Sequence, residues 1–533
     1  MPELLHPGVY VQEVSSGVRP IEGVSTSTAA FIGVTTKGPL PGTKLPAGRV
    51  AQPVLVTSFT DYLRQFGGFR RDSFLTYAVR SFYDNGGRRV YIVRVATTAL
   101  SAALPAAAAL PVSAATHGAW GNDIWVSLEA SSDGVTGNFK LIVMTGTTET
   151  EAARSIVETY DNVTFQPGAA GPAPANYVKT LVNGRSEFIA FTGDLLAAPA
   201  PIPLPPARLT GGSDGVAVTP AAHVGEAADN NTLTGTGLFA LDKITDVNII
   251  AIPGVGDAAT ASAAMAYCKN VRPLQDCFYI ADVGSIASVE AARLEGASTD
   301  VRTIAEARTF AVTSITDKSV GDYGAIYFPW LLAADPIGAG NNPRILLPPS
   351  GFMAGIYART DNSRGVFKAP AGTEAGVAGA LAPFTDVSDF EQDTLNPVKV
   401  NVIRTVPAAG LVVWGTRTIG SDAEWRYIPV RRTAIFLRVS IYNGIQFAVF
   451  EPNDEPLWAS LRLNIRAFMM TQFRSGAFQG SKPDEAFFVK CDSTTTTQTD
   501  IDNGVVNILV GFAPLKPAEF VVLKLSQKVQ APA

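Results

Sequence analysis

The sequence predicts an α+β multidomain protein: mixed α/β core domains, an inserted β-rich domain and a strand-like arm at each terminus. Three observations lead there. Helical and strand-like periods alternate through 26–100 and again after 221, the pattern of α/β domains. Two Ala- and Pro-rich seams, Ala99–Ala115 and Ala197–Arg208, bracket runs that read mainly as strands. Short apolar runs with no hairpin mate sit at both ends of the chain. The organisation that follows is an arm joining the core sheet (1–25), a middle α/β domain in two parts (26–100 and 221–395), the insertion (101–220) and a C-terminal domain with its own arm (396–533).

The N-terminal arm is PGVYVQEV (Pro7–Val14), whose apolar content is Val9, Tyr10, Val11 and Val14. Ser27–Thr35 reads as a strand. Ser58–Gly68 is a short helix with a Ser58–Asp61 capping pair at its start and glycines at its end. A second helix carries Phe74, Tyr77, Ala78 and Phe82 and stops at Asn85–Gly86–Gly87, before a buried-type strand, Arg88–Val95. In the insertion, Gly118–Ala130 and Asn138–Met144 read as strands, Glu149–Thr159 as a helix and Ala197–Arg208 as a stiff extended connector. Leu209–Gly215 marks the exit. Beyond Phe239, DVNIIAIPG, DCFYIADV and GAIYFPWL are strand-like runs separated by helical runs such as Ala287–Glu295 and Thr299–Phe310.

The last quarter is the most informative. From Glu451 to Gly480 the chain reads as one long helix. Asn453 or Asp454 can cap it, and Pro456 sits where a missing N–H costs nothing. Leu457, Trp458, Leu461, Ile465, Phe468 and Met469 recur at helical spacing and make one apolar face. Arg462 and Arg466 lie four residues apart on the other side, and Arg474 follows two turns later. Like charges at that spacing repel, so the stripe is either a solvated face or a surface that meets an acidic partner. At the C-terminus, Phe520, Val521, Val522, Leu523 and Leu525 fall in a run of period two. A terminal strand without a hairpin mate leaves its backbone groups unpaired until a sheet accepts it, in its own subunit or on a neighbour.

Val398–Gly420, Trp425–Thr433, the Glu451–Gly480 helix with DEAFFVKCD after it, and Val510–Gln527 together resemble the C-terminal region of contractile tail sheath proteins of phage tails and injection machines. The helix–helix–NGG–strand passage, LTGGSDG at Leu209–Gly215 and Pro348–Gly372 resemble the same family. The resemblance implies a structural subunit without catalytic activity or cofactor, its β-rich insertion forming an outer domain on the wall of a cylinder. It implies a homo-oligomer built as a helical stack of hexameric rings around an inner tube protein, with baseplate and terminal cap proteins as further partners. Contraction would drive the tube through a target cell envelope. Both arms would add strands to neighbouring subunits, and Arg462, Arg466 and Arg474 would face the acidic exterior of the tube. Assembly is expected in the bacterial cytoplasm, as part of a phage tail or tail-like particle released by lysis.

Other chemistry is poorly supported. VNIIAIP is followed by Gly254-x-Gly256-x-x-Ala259 and a helical run, and a second strand ends near Asp282, which outlines a nicotinamide-type oxidoreductase site. Against it, Pro253 intrudes at the turn, the third glycine is Ala259 and no catalytic partner is apparent. A non-contractile structural or adhesive surface protein is the other alternative. The three histidines (His6, His117, His223) are far apart, and Asp500–Gly504 lacks the terminal Glu of a calcium loop and reads as a hairpin turn. Net charge of −5 with scattered Arg doublets argues against general nucleic-acid binding. Three cysteines suggest no disulfide framework. The opening MPELLHPGVY predicts no signal peptide, and no apolar stretch is long enough to insert directly into a membrane.

Overall fold

The computed structural model describes residues 20–44, 50–106, 110–147, 153–166, 172–197, 199, 202–228, 234–286, 292, 303–338 and 343–522. The arm residues Val9, Tyr10, Val11, Val14, Leu523 and Leu525, and the helical run expected at Ala287–Glu295 (apart from Ala292), lie outside them. The chain packs as two compact units: 25–431, and 432–533 together with 1–24.

The larger unit is organised by an eight-stranded sheet. From one edge to the other its strands are Gly410–Val413, Val400–Val406, Gly324–Phe328, Phe278–Asp282, Ile249–Ala251, Ala29–Gly33, Val90–Arg94 and Val54–Val56. The six inner strands pair in parallel, and an antiparallel strand closes each edge. Ala29–Gly33, Ile249–Ala251, Phe278–Asp282 and Gly324–Phe328 are buried throughout, which is why they read as unbroken apolar runs. The first strand among the described residues, Ala29–Gly33, has Val90–Arg94 on one side and Ile249–Ala251 on the other, so the winding reverses there.

Two helices pack closely beside this sheet, Leu75–Asp84 and Ser350–Arg364. Glycine permits the approach: a Cβ at Gly351 would lie 2.6 Å from Ala78 Cα, and one at Gly355 would lie 2.5 Å from the Phe82 carbonyl oxygen. The Asn-Gly-Gly after the first helix does more than stop it. Buried Asn85 donates from Nδ2 to the Ser81 and Ala378 carbonyls and accepts the Ala378 N–H, each at 2.9 Å. Arg431 is buried as well. It pairs with Asp322, which also accepts Lys269 Nζ at 3.1 Å, and its guanidinium lies 3.7 Å from the Trp425 ring.

Within 101–220 a four-stranded antiparallel sheet runs Ser155–Thr164, Asn138–Thr145, Ile124–Ala130, Leu204–Arg208. It closes over its own core, which includes Val126, Phe139, Leu141, Phe191 and Leu209. Leu100 and Ser213 exchange both backbone hydrogen bonds, so the chain leaves and returns at adjacent points.

Three local expectations are corrected. Ser155–Thr164 is a strand, not the end of a helix, because its alternating exposure suits an edge paired along Asn138–Thr145. Leu204–Arg208 is an edge strand on Ile124–Ala130 rather than a free connector, a position where prolines are tolerated. Asp500–Gly504 closes a short helix, Gln498–Asp502, capped reciprocally by Thr497 and Asp500, and Gly504 takes φ +70° after it. The two compact units meet at 431/432, and Val400–Val406 is laddered into the large sheet.

Candidate functional site

The smaller unit gathers the features that sequence singled out. Helix Glu455–Arg474 starts at Asp454, whose Oδ1 accepts the Leu457 N–H at 3.1 Å, with Pro456 in the first turn. Asn453 takes a different task and accepts from Trp458 Nε1 at 2.9 Å. Leu457, Trp458, Leu461, Ile465, Phe468 and Met469 are all buried. Leu463, Arg466 and Arg474 lie along the exposed side, with Arg462 at its margin.

The arginines are largely answered from within. Arg462 donates from Nη2 to Glu455 at 2.9 Å and from Nη1 to the Cys491 carbonyl. Arg466 donates to Asp484 at 3.2 Å and sits 6.0 Å from the Phe487 ring. Mutual repulsion along the stripe is thus relieved within the unit at these two positions. Arg474 is exposed and makes no ion pair among the described residues. Glu455 was legible seven residues before Arg462. Asp484 lies in another element, and only folding brings it close.

Behind the helix a two-stranded antiparallel sheet pairs Phe487–Lys490 with Leu509–Phe512. Each strand has a single ladder partner among the described residues, and Phe488 and Leu509 are about half exposed. The last described residues, Phe520, Val521 and Val522, carry no ladder and are almost fully exposed. At the other end, Ile21 is buried against Gly444, and the Val24 N–H donates to Ser440 Oγ at 3.1 Å, so residues 20–24 run along helix Ile428–Gly444. Of the twenty-three large apolar side chains exposed among the described residues, eleven fall between Tyr442 and Val522. Phe450, which sequence reasoning missed, is wholly exposed at φ +69°, a conformation that costs a bulky residue about 1–3 kcal/mol.

The nicotinamide-type outline is occupied by the protein itself. A Cβ at Gly254 would lie 2.4 Å from the Phe74 ring, and one at Gly256 only 2.0 Å from the Gly284 carbonyl oxygen. These glycines make room for neighbouring chain rather than for a pyrophosphate. Asp282, the expected ribose acid, is buried and accepts the Gly254 N–H at 3.1 Å, the Ser350 N–H at 2.8 Å and the Ser350 hydroxyl at 2.8 Å. Burial outweighs those donors and pushes its carboxyl up to about 6. Among the described residues there is no His/Cys/Asp/Glu cluster suited to a metal ion, and no helix is long and apolar enough to cross a membrane.

Comparison with known proteins decides the family. The phage tail sheath protein central domain matches residues 227–419 and the phage tail sheath C-terminal domain matches 420–528, together more than half of the chain. The chain belongs to the phage tail sheath family. The tail sheath protein of Vibrio phage KVP40 is 25% identical over 326 residues, 57% of this chain and 46% of that protein. The tail sheath protein of Enterobacteria phage T4 is 24% identical over 185 residues, 33% and 26% of the two chains. The match thus spans less than half the length of these curated relatives.

The sheath fold extends further than sequence identity does. The sheath of PVC, an extracellular contractile injection system in its contracted state, superposes with a TM-score of 0.56 at 22% identity over 99% of both chains. The contracted helical sheath of the anti-feeding prophage gives 0.56 at 22% identity over 98% of this chain and 99% of that one. The mixed α/β multidomain fold expected from sequence is the fold these sheath structures share.

Proposed function

We propose that this chain is the structural subunit of a contractile tail sheath. Copies polymerise as stacked hexameric rings around an inner tube and shorten to drive that tube through a target envelope. The observation that carries the reading is the two-stranded sheet Phe487–Lys490/Leu509–Phe512, with one partner per strand among the described residues, in the unit that holds both chain ends and eleven of the twenty-three exposed large apolar residues. Ends of this kind satisfy their backbone groups by completing a neighbour's half-sheet, and ladder bonds act as tethers while side-chain interfaces repack. The role is mechanical, without catalysis or cofactor. Free energy stored at assembly suffices to throw the switch: about 5.5 kcal/mol moves a two-state unit from 1:99 to 99:1, which is about 1 kcal/mol per subunit in a ring of six.

The inner tube is the first partner. Arg474, with Arg466 and Arg462 beside it, contributes positive charge toward an acidic tube wall. Baseplate and terminal cap proteins engage the two ends of the stack. Assembly takes place in the bacterial cytoplasm, and the particle leaves by lysis.

Negative-stain electron microscopy of the concentrated protein, alone and co-expressed with its tube, tests this. Alone it is expected to form hollow ribbed tubes of uniform diameter; with the tube present it should give filled sheaths, and R474E should give more empty ones. Globular particles in both preparations would sink the sheath reading. Normal filling by R474E would remove Arg474 from the tube contact.

A further inference from the structure

The larger unit carries a basic cluster that the assembly reading leaves unused. Lys399 precedes strand Val400–Val406, and its Nζ donates to the Ile419 carbonyl at 3.4 Å and to the Gly420 carbonyl. Arg417 stands beside it. Its N–H donates to Asn401 Oδ1 at 2.7 Å, and its Nη1 donates to the Asn396 carbonyl at 2.9 Å. Arg417 also bridges to Tyr427 across a hairpin, which brings in Arg426. Lys318 is tied in through Gly321, whose N–H donates to the Lys318 carbonyl at 3.2 Å and which packs against Gly420.

Lys318, Lys399 and Arg426 make no ion pair among the described residues. Asp322, four residues beyond Lys318, is committed to Arg431 and Lys269. Asp422 and Glu424, in the hairpin that carries Arg417 and Arg426, make no ion pair among the described residues either. Burial, and then the fields of Arg426 and Arg417, hold the Lys399 ammonium below its ordinary value; burial and the field of Lys399 do the same to Lys318. Like charges kept this close repel, and an acidic partner relieves them.

The complement lies on the same chain. Asp386–Asp393, DVSDFEQD, places four carboxylates in eight residues, the densest acidic run of the sequence. It opens helix Asp389–Leu395, which Ser388 and Glu391 cap reciprocally. Asp389 pairs with Arg404 at 2.6 Å, whereas Asp386 and Asp393 are exposed and make no ion pair among the described residues. Phe390 stands between them, 79% exposed. The start of this run and the cluster lie at opposite ends of strand Val400–Val406: Arg404 and Lys399 are about 16 Å apart along it. Exposed charges that far apart are largely screened from one another.

We infer that the cluster receives the Asp386–Asp393 run of a second copy of this chain, an inference that rests on the polymer proposed above. The carboxylates of the run meet Lys318, Lys399, Arg417 and Arg426, and Phe390 loses its exposure in the contact. Because the two patches differ, the contact is heterologous and repeats from subunit to subunit into a ring or a helix. A dissolved anion or an acidic tube wall would answer the cluster alone and leave the acidic run and Phe390 as they are. A second copy answers both.

Sedimentation of the full-length protein across concentration and salt tests it. The parent is expected to polymerise above a critical concentration that rises with salt. K318E/R426E and D386K/D393K should each raise that concentration at least about tenfold at low salt, with melting temperatures preserved. R426E alone changes an exposed side chain that makes no hydrogen bond among the described residues, and it should act in the same direction without disturbing the fold. Mixed in equal amounts, the two double variants should assemble at an intermediate concentration, because the intact run of one meets the intact cluster of the other. A parent that stays globular would overturn the inference together with the polymer it rests on. Parent polymers matched by R426E and both double variants, or a mixture no better than either variant alone, would overturn the inference and leave the polymer standing.

Discussion

Deletion of Phe520–Ala533 is expected to leave a soluble, folded subunit that no longer polymerises. Phe520, Val521 and Val522 have no ladder and almost no cover, so the subunit loses little when they go. The polymer loses much more. Burying three such side chains on a neighbour contributes about 5–8 kcal/mol, against about 1–2 kcal/mol of backbone entropy for each residue ordered. The net gain per arm is modest, and it is multiplied along a lattice. Deletion of Met1–Val14 is expected to act in the same way. Sedimentation velocity and electron microscopy read the result, with circular dichroism to establish the fold. V521D is the finer probe, since it keeps the chain length and places a charge in the buried row. Normal tubes from either truncation would refute strand exchange for that arm.

Asp282 gives the second large effect, and its sign is opposite to that of most carboxylates. Its carboxyl titrates at about 6 in the folded protein, above the ordinary value of 3.8. As pH rises from 4 toward 6 the unfolded chain releases this proton first, so the folded state is progressively penalised. The contribution is fully present below about pH 4 and declines by roughly 3 kcal/mol once pH exceeds 6. Lowered surface carboxylates such as Asp133 and Asp500 act in the other direction, so the comparison must be with a variant. D282N does not titrate, and its amide turns a donor toward a backbone N–H, at a cost of about 1–3 kcal/mol. The stability advantage of the parent over D282N is therefore expected to be larger at pH 4 than at pH 7. Urea midpoints at the two pH values measure it, and a pH-independent difference would show that burial does not govern this carboxyl.

The same residue shows why a dinucleotide motif can mislead. Strand, Gly-x-Gly turn, helix and a later acid all sit where an oxidoreductase needs them, because both kinds of protein build on a parallel sheet. What separates them is the occupant of the turn. Phe74, Gly284 and Ser350 reach it from other elements, and no local pattern around Gly254 announces that.

Much of this protein was determined by its sequence alone, wherever the cause is local. Unbroken apolar runs made the inner strands of the parallel sheet legible because burial on both faces removes alternation. Asp454, Pro456 and a 3.6-residue apolar period located helix Glu455–Arg474, since capping and amphipathicity act within a few residues. Segments spread across the chain also carried the family. Only the tertiary structure decided the rest. Ser155–Thr164 and Leu204–Arg208 became strands because a sheet edge was available to them, and edge pairing overrides local propensity. Arg466 gained Asp484 at 3.2 Å from across the fold, a partner that no local pattern announces. Arg94 reads as one more residue of a buried strand until its neighbours are known; that Asp214 pairs with Arg70 rather than with Arg94 is a property of the packed chain. Charge balance at a buried site is a sum over elements distant in sequence, and only folding performs it.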